Sequence, residues 1–452
     1  MVEVNHLNLC YANKEEVLHD IHFHIAPGEC VLFTGKSGSG KSSIIHAING
    51  LAMRYDGAEV HGNICIDAKE VRNLELYQIA QLICSVFQNP KTHFFNVNTT
   101  LELVFYLENM GLAKQEMDAR LQDMLALFPI SHLLNRDIFK LSGGEKQILC
   151  IAASYIAGVK RIVLDEPSSN LDAQNIEVIS NMLAKLKAEG ITLILCEHRL
   201  YYLMDIVDRV FLVQEGSIVK EYPIADFLQC STENLHQMGL RDKVKTKLHL
   251  PPAPPQGDLV IQHLDFENLL HLQNIAMQTG CIYGVCGNNG LGKSTFLRCI
   301  IGIEKKSKEN IVYRGKVLSK KERLKISALV MQDVNHQLFS DKVSDELTLG
   351  MDHLPEGKEE AILQSLDLLA YKDKHPMSLS GGQKQRLAIA SVLCQNASFL
   401  CFDEPTSGMD YANMRKISNL IKQYKENRII IIVSHDIEFL NATADYIIQL
   451  KT

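Results

Sequence analysis

Two copies of one eight-residue pattern, G-x-x-x-x-G-K-S, constrain this chain more than any other feature: GKSGSGKS at Gly35–Ser42 and GNNGLGKS at Gly287–Ser294. Each follows a short apolar run, Cys30-Val31-Leu32-Phe33 or Ile282-Tyr283-Gly284-Val285, that reads as a buried strand. The first precedes Ser43-Ile44-Ile45-His46-Ala47-Ile48, which reads as a helix. A glycine-rich turn between strand and helix lets backbone N–H groups close on an anion at the positive end of the helix dipole. In the first copy Gly35, Lys36, Ser37, Gly38, Ser39 and Gly40 form such a turn. Lys41 would reach β- and γ-phosphates, Ser42 would offer its hydroxyl to Mg²⁺, and Ser43 follows on the helix. Gly287, Asn288, Asn289, Gly290, Leu291, Gly292, Lys293, Ser294 and Thr295 repeat the arrangement.

Other landmarks recur in the same order. The loop lysines Lys41 and Lys293 are 252 positions apart, and the glutamines Gln88 and Gln332, each after an apolar run, are 244 apart. The LSGG serines Ser142 and Ser380 and the acid pairs Asp165-Glu166 and Asp403-Glu404 are both 238 apart; His198 and His435 are 237 apart. The spacing shrinks early and then holds, which describes two copies of one domain rather than a solenoid of short units. We expect a first domain over 1–228, a connector over 229–257 and a second domain over 258–452, with Pro251-Pro252-Ala253-Pro254-Pro255 stiff and extended.

Within each copy, apolar runs alternate with helical patterns. That predicts an α/β fold, two P-loop domains each with a parallel-core sheet flanked by helices, and ligand chemistry at the strand C-termini. The balance of 46 basic and 53 acidic side chains, a formal charge of −7, gives no support for nucleic-acid binding through bulk charge. Twelve cysteines without a C-x-x-C pair, some in apolar runs (Cys196, Cys401), read as reduced core thiols. MVEVNHLNLC lacks the basic flank and apolar core of a signal peptide, and no apolar stretch nears the ~20 residues that span a bilayer.

Arg161-Ile162-Val163-Leu164 and Phe399-Leu400-Cys401-Phe402 end in the acid pairs, placing these beside the phosphate loops. Asp165 and Asp403 are candidate Mg²⁺ ligands; Glu166 and Glu404 are candidate general bases. LSGGEKQ at Leu141–Gln147 and LSGGQKQR at Leu379–Arg386 each open a helix, so Ser142, Gly143, Gly144 and Ser380, Gly381, Gly382 form further helix N-termini suited to an anion.

With these segments the chain resembles the ATP-binding cassette (ABC) ATPases along nearly its whole length. In that family the phosphate loop of one domain faces the LSGG segment of the other, with ATP and Mg²⁺ between. The resemblance implies one site built from Gly35–Ser42, Gln88, Asp165, Glu166 and His198 with Ser380, Gly381, Gly382 and Gln383. It implies a second from Gly287–Ser294, Gln332, Asp403, Glu404 and His435 with Ser142, Gly143, Gly144 and Glu145. His198 and His435 join the catalytic set, Ser42, Gln88, Asp165, Ser294, Gln332 and Asp403 the Mg²⁺ set. Ser169–Asp172 and Ser407–Asp410 look like the family's D-loops, Tyr11 lies where an aromatic stacks on adenine, and Phe266 is its counterpart. Glu145, opposite Gln383, is expected to bring a negative charge to the second ATP.

The stretches after the glutamines, Gln332–Phe339 with Ser344–Leu347 and Gln88-Asn89-Pro90 with Glu102–Gly111, resemble the ATPase of energy-coupling factor (ECF) importers. That resemblance implies a peripheral protein on the cytoplasmic face of a bacterial membrane. Its partners would be an integral scaffold (T-type) subunit and a substrate-binding membrane subunit, and its cargo a vitamin or transition-metal ion. By the same analogy Glu102, Asp345 and Glu346 would lie near the groove for the scaffold's arginine-bearing helices. The competing class, soluble tandem ABC proteins acting on ribosomes, carries a long charged helical linker that this chain lacks.

Overall fold

The computed structural model describes residues 1–11, 16–169, 171–349 and 357–450. The chain forms two compact units: residues 1–245 with Asp410–Ala412, and residues 246–409 with 413–452.

The first unit is built on a six-stranded sheet, in the order Ser217–Pro223, Arg209–Gln214, Cys30–Thr34, Thr192–Cys196, Arg161–Asp165, Cys84–Val86. All neighbours are parallel except the first pair. The three central strands are buried at every residue. Their near-continuous apolar sequence suits strands covered on both faces, and alternation divides it cleanly. Leu32, Ile162, Leu164, Leu193 and Leu195 pack with Leu149, Ile179 and Leu183 of the helices Gly143–Ile156 and Ala173–Ala188. Val31, Phe33, Val163 and Ile194 pack instead with Ile44 and Ile48 of the loop helix Lys41–Ile48 and with Val2, Val4 and Leu7. Those last three belong to a four-stranded antiparallel sheet of Glu16–Ile25, Val2–Cys10, Glu59–Ile66 and Lys69–Glu70. Helices Thr99–Asn109 and Lys114–Leu127 complete the unit.

The second unit repeats this plan. Its five-stranded parallel sheet runs Ser327–Val330, Phe399–Asp403, Ile429–Val433, Ile282–Cys286, Tyr446–Gln449. Its antiparallel sheet runs Leu270–Met277, Leu259–Phe266, Lys308–Tyr313, Lys316–Val317. One buried cation stands out. Arg323, 1% exposed, donates to Ile300 O at 2.7 Å and Leu318 O at 2.8 Å and pairs with Glu309. Truncating one partner strands the other charge, so Arg323→Ala should cost about 3–5 kcal/mol in the urea transition of this unit.

The region expected as a connector is only partly a spacer. Residues 229–245 belong to the first unit, where helix Thr232–Gln237 and the segment after it bury Leu235 and Leu240 in its core. The proline run is extended and held: Ala253 N donates to Ile447 O at 3.0 Å, and Ile447 N to Pro251 O at 2.8 Å. All twelve cysteines are free thiols, seven of them buried, Cys196 and Cys401 completely.

Because the core strands of each unit run the same way, their C-termini share one edge. Phe33 and Asp165 both register against Cys196, and Val285 and Asp403 against Val433. The glycine loops, acid pairs and histidines follow those positions.

Candidate functional site

In the first unit the loop Gly35–Gly40 turns tightly under the strand edge. A Cβ on Gly35 would lie 2.1 Å from Val213 O, and one on Gly40, whose φ is +100°, would lie 2.7 Å from Leu18 Cδ2. Lys41 is buried; its Nζ donates to Gly35 O at 3.1 Å and Lys36 O at 2.8 Å. Burial pushes its pKa down, with Glu166 opposing. Ser39 Oγ is buried with no hydrogen-bond partner among the described residues. Tyr11 Oη sits 3.1 Å from Ser43 Oγ, placing the ring beside the loop helix. In the second unit Lys293 Nζ donates to Gly287 O and Asn288 O, both at 2.9 Å, and Phe266, half-buried, ends the strand Leu259–Phe266.

Ser42 Oγ donates to Asp165 Oδ1 at 3.2 Å; in the second unit Ser294 lies near Asp403 and favours its charged form. Burial raises the pKa of both aspartates. Asp403 Oδ1 is buried with no partner among the described residues. A hydroxyl against a buried carboxylate with an unused oxygen is a hard-oxygen donor set, which fits a divalent cation such as Mg²⁺.

Glu166 and Glu404 hold left-handed backbone, φ 44° and 50°, costing on the order of 1–3 kcal/mol each. Cross-strand bonds enforce it: Glu166 N donates to Cys196 O at 2.8 Å and Glu404 N to Val433 O at 2.9 Å. Burial pushes both carboxyls up to about 8. Glu166 Oε2 accepts from Gln88 Nε2 at 2.7 Å and Ser169 Oγ at 3.0 Å, and His198 Nε2 lies 3.5 Å from Oε1. His198 is buried, and desolvation holds its pKa well below the usual histidine range, so the ring is neutral. Around Glu404, Ser434 Oγ and His435 N each donate to Oε2 at 3.2 Å, and His435 Nε2 lies 3.5 Å from Oε1. Gln332 is exposed, with no hydrogen bond to Glu404 among the described residues. Of the first D-loop segment, Asn170 lies outside the described residues.

Ser142 and Ser380 cap their helices through reciprocal capping boxes with Glu145 and Gln383. The negative charge expected at Glu145 is paired within its own unit. Its carboxylate accepts from Ser142 N at 2.8 Å and meets Arg136 Nη1 at 2.6 Å. Burial opposes that charge, but the Ser142 bonds and Arg136 outweigh it and keep the pKa low. A Cβ on Gly143, Gly381 or Gly382 would meet nothing within 4 Å, whereas one on Gly144 would strike the Asn175 side chain at 2.4 Å.

Two of the three acids expected beside a partner groove are buried. Glu102 is 8% exposed and accepts from Phe95 N at 3.1 Å and Asn96 N at 2.7 Å. Glu346, 3% exposed, accepts from Phe339 N at 3.0 Å and Ser340 N at 2.9 Å. Both carboxylates are spent on a loop's backbone and are not free for a partner's arginines; Asp345 stays exposed. What those loops present is aromatic: Phe95 is 77% exposed and Phe339 74%. Phe339 ends the stretch Gln332–Phe339 that carries the ECF resemblance, and Phe95 shares with it the 244-residue spacing of Gln88 and Gln332. Beneath the first loop, His93 Nε2 accepts from Phe87 N at 2.8 Å.

Desolvation lowers His93 to about 4. A depressed histidine pKa means the unfolded chain takes up the proton first, so stability falls as pH drops from about 6.5 toward 4. The loss is on the order of 3 kcal/mol. His93→Gln should flatten that part of the stability curve, as read from denaturant midpoints between pH 4 and 7.

The P-loops, acid pairs and LSGG caps define a nucleoside-triphosphatase of the cassette type, and comparison with known proteins agrees. The sequence model described as ABC transporter matches residues 18–169 and 270–407, and the chain belongs to that family. A Treponema denticola protein described as an ABC transporter ATP-binding protein is 37% identical over 100% of this chain and 95% of its own length. One from Saccharolobus solfataricus is 31% identical over 100% of this chain and 92% of its own. Among solved structures, the archaeal ribosome recycling factor aABCE1, crystallised with ribosomal stalk protein aP1, has a TM-score of 0.63 at 21% identity. That likeness covers 99% of this chain and 87% of that one, and shows the shared fold.

Proposed function

We propose that this chain is the ATP-hydrolysing subunit of an ECF-type importer, powering uptake of a vitamin or transition-metal ion through a membrane scaffold. The observation that carries the reading is the aromatic loop after each site glutamine. In the first unit Gln88 bonds Glu166, and seven residues on Phe95 stands out of the surface, stacked on Phe105 with 5.2 Å between centroids. Leu101 and Phe139 are exposed as well. A loop hydrogen-bonded to the candidate general base Glu166 and tipped with an apolar anchor suits a helix of an integral membrane protein, in keeping with a place on the cytoplasmic face of the membrane.

In this reading Lys41 and Lys293 leave their loop carbonyls for the phosphates. Ser42 with Asp165, and Ser294 with Asp403, would hold Mg²⁺, joined by Gln88 and Gln332. The cation, when bound, neutralises charge on the phosphate oxygens. Glu166 and Glu404 take the proton of the attacking water, and His198 and His435 steady the γ-phosphate. Each nucleotide would be completed by the LSGG segment of the other half, where Gly143, Gly381 and Gly382 have open space beside them. ATP shifts the halves toward the shut state only by its preference for that state. Substrate choice rests with a separate membrane subunit.

Capture of the tagged chain from detergent-solubilised membranes should recover an integral membrane scaffold. Recovery of ribosomes instead would replace this reading with the translation class. Glu102→Ala should abolish scaffold capture by loosening the Phe95 loop, with ATP turnover within about threefold of normal. It removes the acceptor of two backbone N–H groups and should cost about 1–3 kcal/mol.

A further inference from the structure

The two halves organise their catalytic carboxylates differently. At the end of strand Thr192–Cys196 stands Glu197, 2% exposed; the same place in the second half is Ser434. The equivalence is geometric: Glu197 N donates to Phe33 O and Ser434 N to Val285 O, both at 3.3 Å.

Both oxygens of Glu197 are fully engaged. Oε1 accepts from His198 N at 2.8 Å and Arg199 N at 3.0 Å; Oε2 accepts from Ser168 N at 3.2 Å and Tyr202 Oη at 2.8 Å. Arg199 adds to the clamp, its Nη1 reaching Leu171 O at 3.3 Å. In the second half the three positions read Ser434, Asp436 and Phe439. There Ser434 Oγ and His435 N both donate to Glu404 itself, while Asp436 takes Thr406 Oγ1 at 3.3 Å. So Glu404 doubles as the tether of its own histidine segment. Glu166 is relieved of that duty, and its oxygens face Gln88, Ser169 and His198.

We propose that Glu197, with Arg199 and Tyr202, is a positioning group that frees Glu166 for the attacking water, making the first site the faster of two unequal ATPase sites. Before Glu404 can turn both oxygens to water and γ-phosphate, its Oε2 must release Ser434 Oγ and His435 N, which hold the histidine segment; the two donors on Glu166 Oε2, Gln88 Nε2 and Ser169 Oγ, lie outside that segment, which Glu197 holds instead. The inference rests on the ATPase reading above and adds an order of firing to it.

The test uses the full chain with Glu404→Gln, so that phosphate release reports the first site. Adding Glu197→Ser, Arg199→Asp and Tyr202→Phe rebuilds the second half's arrangement there. The first-site kcat should fall about tenfold with KM within twofold, in protein that stays folded at the assay temperature although its melting temperature drops with the lost Glu197 bonds. The reciprocal exchange, Ser434→Glu, Asp436→Arg and Phe439→Tyr in a Glu166→Gln chain, should raise the second-site kcat. A merely structural role cannot produce that gain. If the triple exchange does not fold, Glu197→Gln, which keeps the shape but supplies one acceptor oxygen, should show the same kcat loss. An unchanged first-site kcat, or a fall matched by an equal loss of ATP affinity, overturns the proposal. Glu166→Gln added to the Glu404→Gln chain is the control: if it leaves turnover unchanged, the ATPase assignment itself has failed.

Discussion

Glu166→Gln combined with Glu404→Gln should lower steady-state ATP turnover by about a thousandfold while leaving ATP binding intact. The amide keeps the size of each side chain and an acceptor oxygen. Ser434 Oγ and His435 N can therefore still be satisfied at position 404, and Ser169 Oγ at position 166. What is lost is the ability to take a proton. Both carboxyls are buried enough to sit near 8, close to the operating pH, where a general base works best. The strained backbone at both positions remains, because the cross-strand bonds from their N–H groups are untouched. Phosphate release and equilibrium ATP binding on the same preparation check the two halves of the expectation. Turnover within tenfold of the unchanged chain would remove these residues from the base role.

The second large effect is expected at Gly35. An alanine there places Cβ 2.1 Å from Val213 O, on a strand hydrogen-bonded to the one that feeds the loop. Neither backbone can yield without breaking the register Thr34↔Leu212. Gly35→Ala should therefore cost about 3 kcal/mol or more and weaken ATP binding at the first site at least tenfold. Gly38→Ala is the contrast. Its Cβ meets nothing within 4 Å, and only its φ of +79° resists substitution, at about 1–2 kcal/mol. Urea unfolding of the two variants, with nucleotide titration, separates a steric loop lock from a generic glycine requirement.

Much of this was legible before any coordinates. The P-loops, acid pairs, histidines and LSGG caps announce themselves through fixed spacing and apolar runs, and the fully buried strands follow from their composition. What escaped depends on burial and on distant backbone. Glu102 and Glu346 read as surface charges at helix starts, yet each folds back onto a loop six or seven residues earlier. Glu197 sits one position before the motif histidine and belongs to no motif of its own, and its four donors come from residues 168 to 202. Arg136 neutralises Glu145 from outside the LSGG segment. Leu235 and Leu240 join the core of the first unit from a polar-looking stretch with no periodicity to mark them.

The pairing of Pro251–Ala253 with Ile447 bears on how the second unit could be handled alone. Strand Tyr446–Gln449 lies at the margin of its sheet, where bare amides and carbonyls invite a foreign chain to add on. The proline run occupies that rim, and lacking N–H groups at its prolines it offers the next molecule a poor template. A fragment starting at 258 would leave the rim open and should form aggregates on concentration, while one starting at 246 should remain dispersed, as light scattering would show.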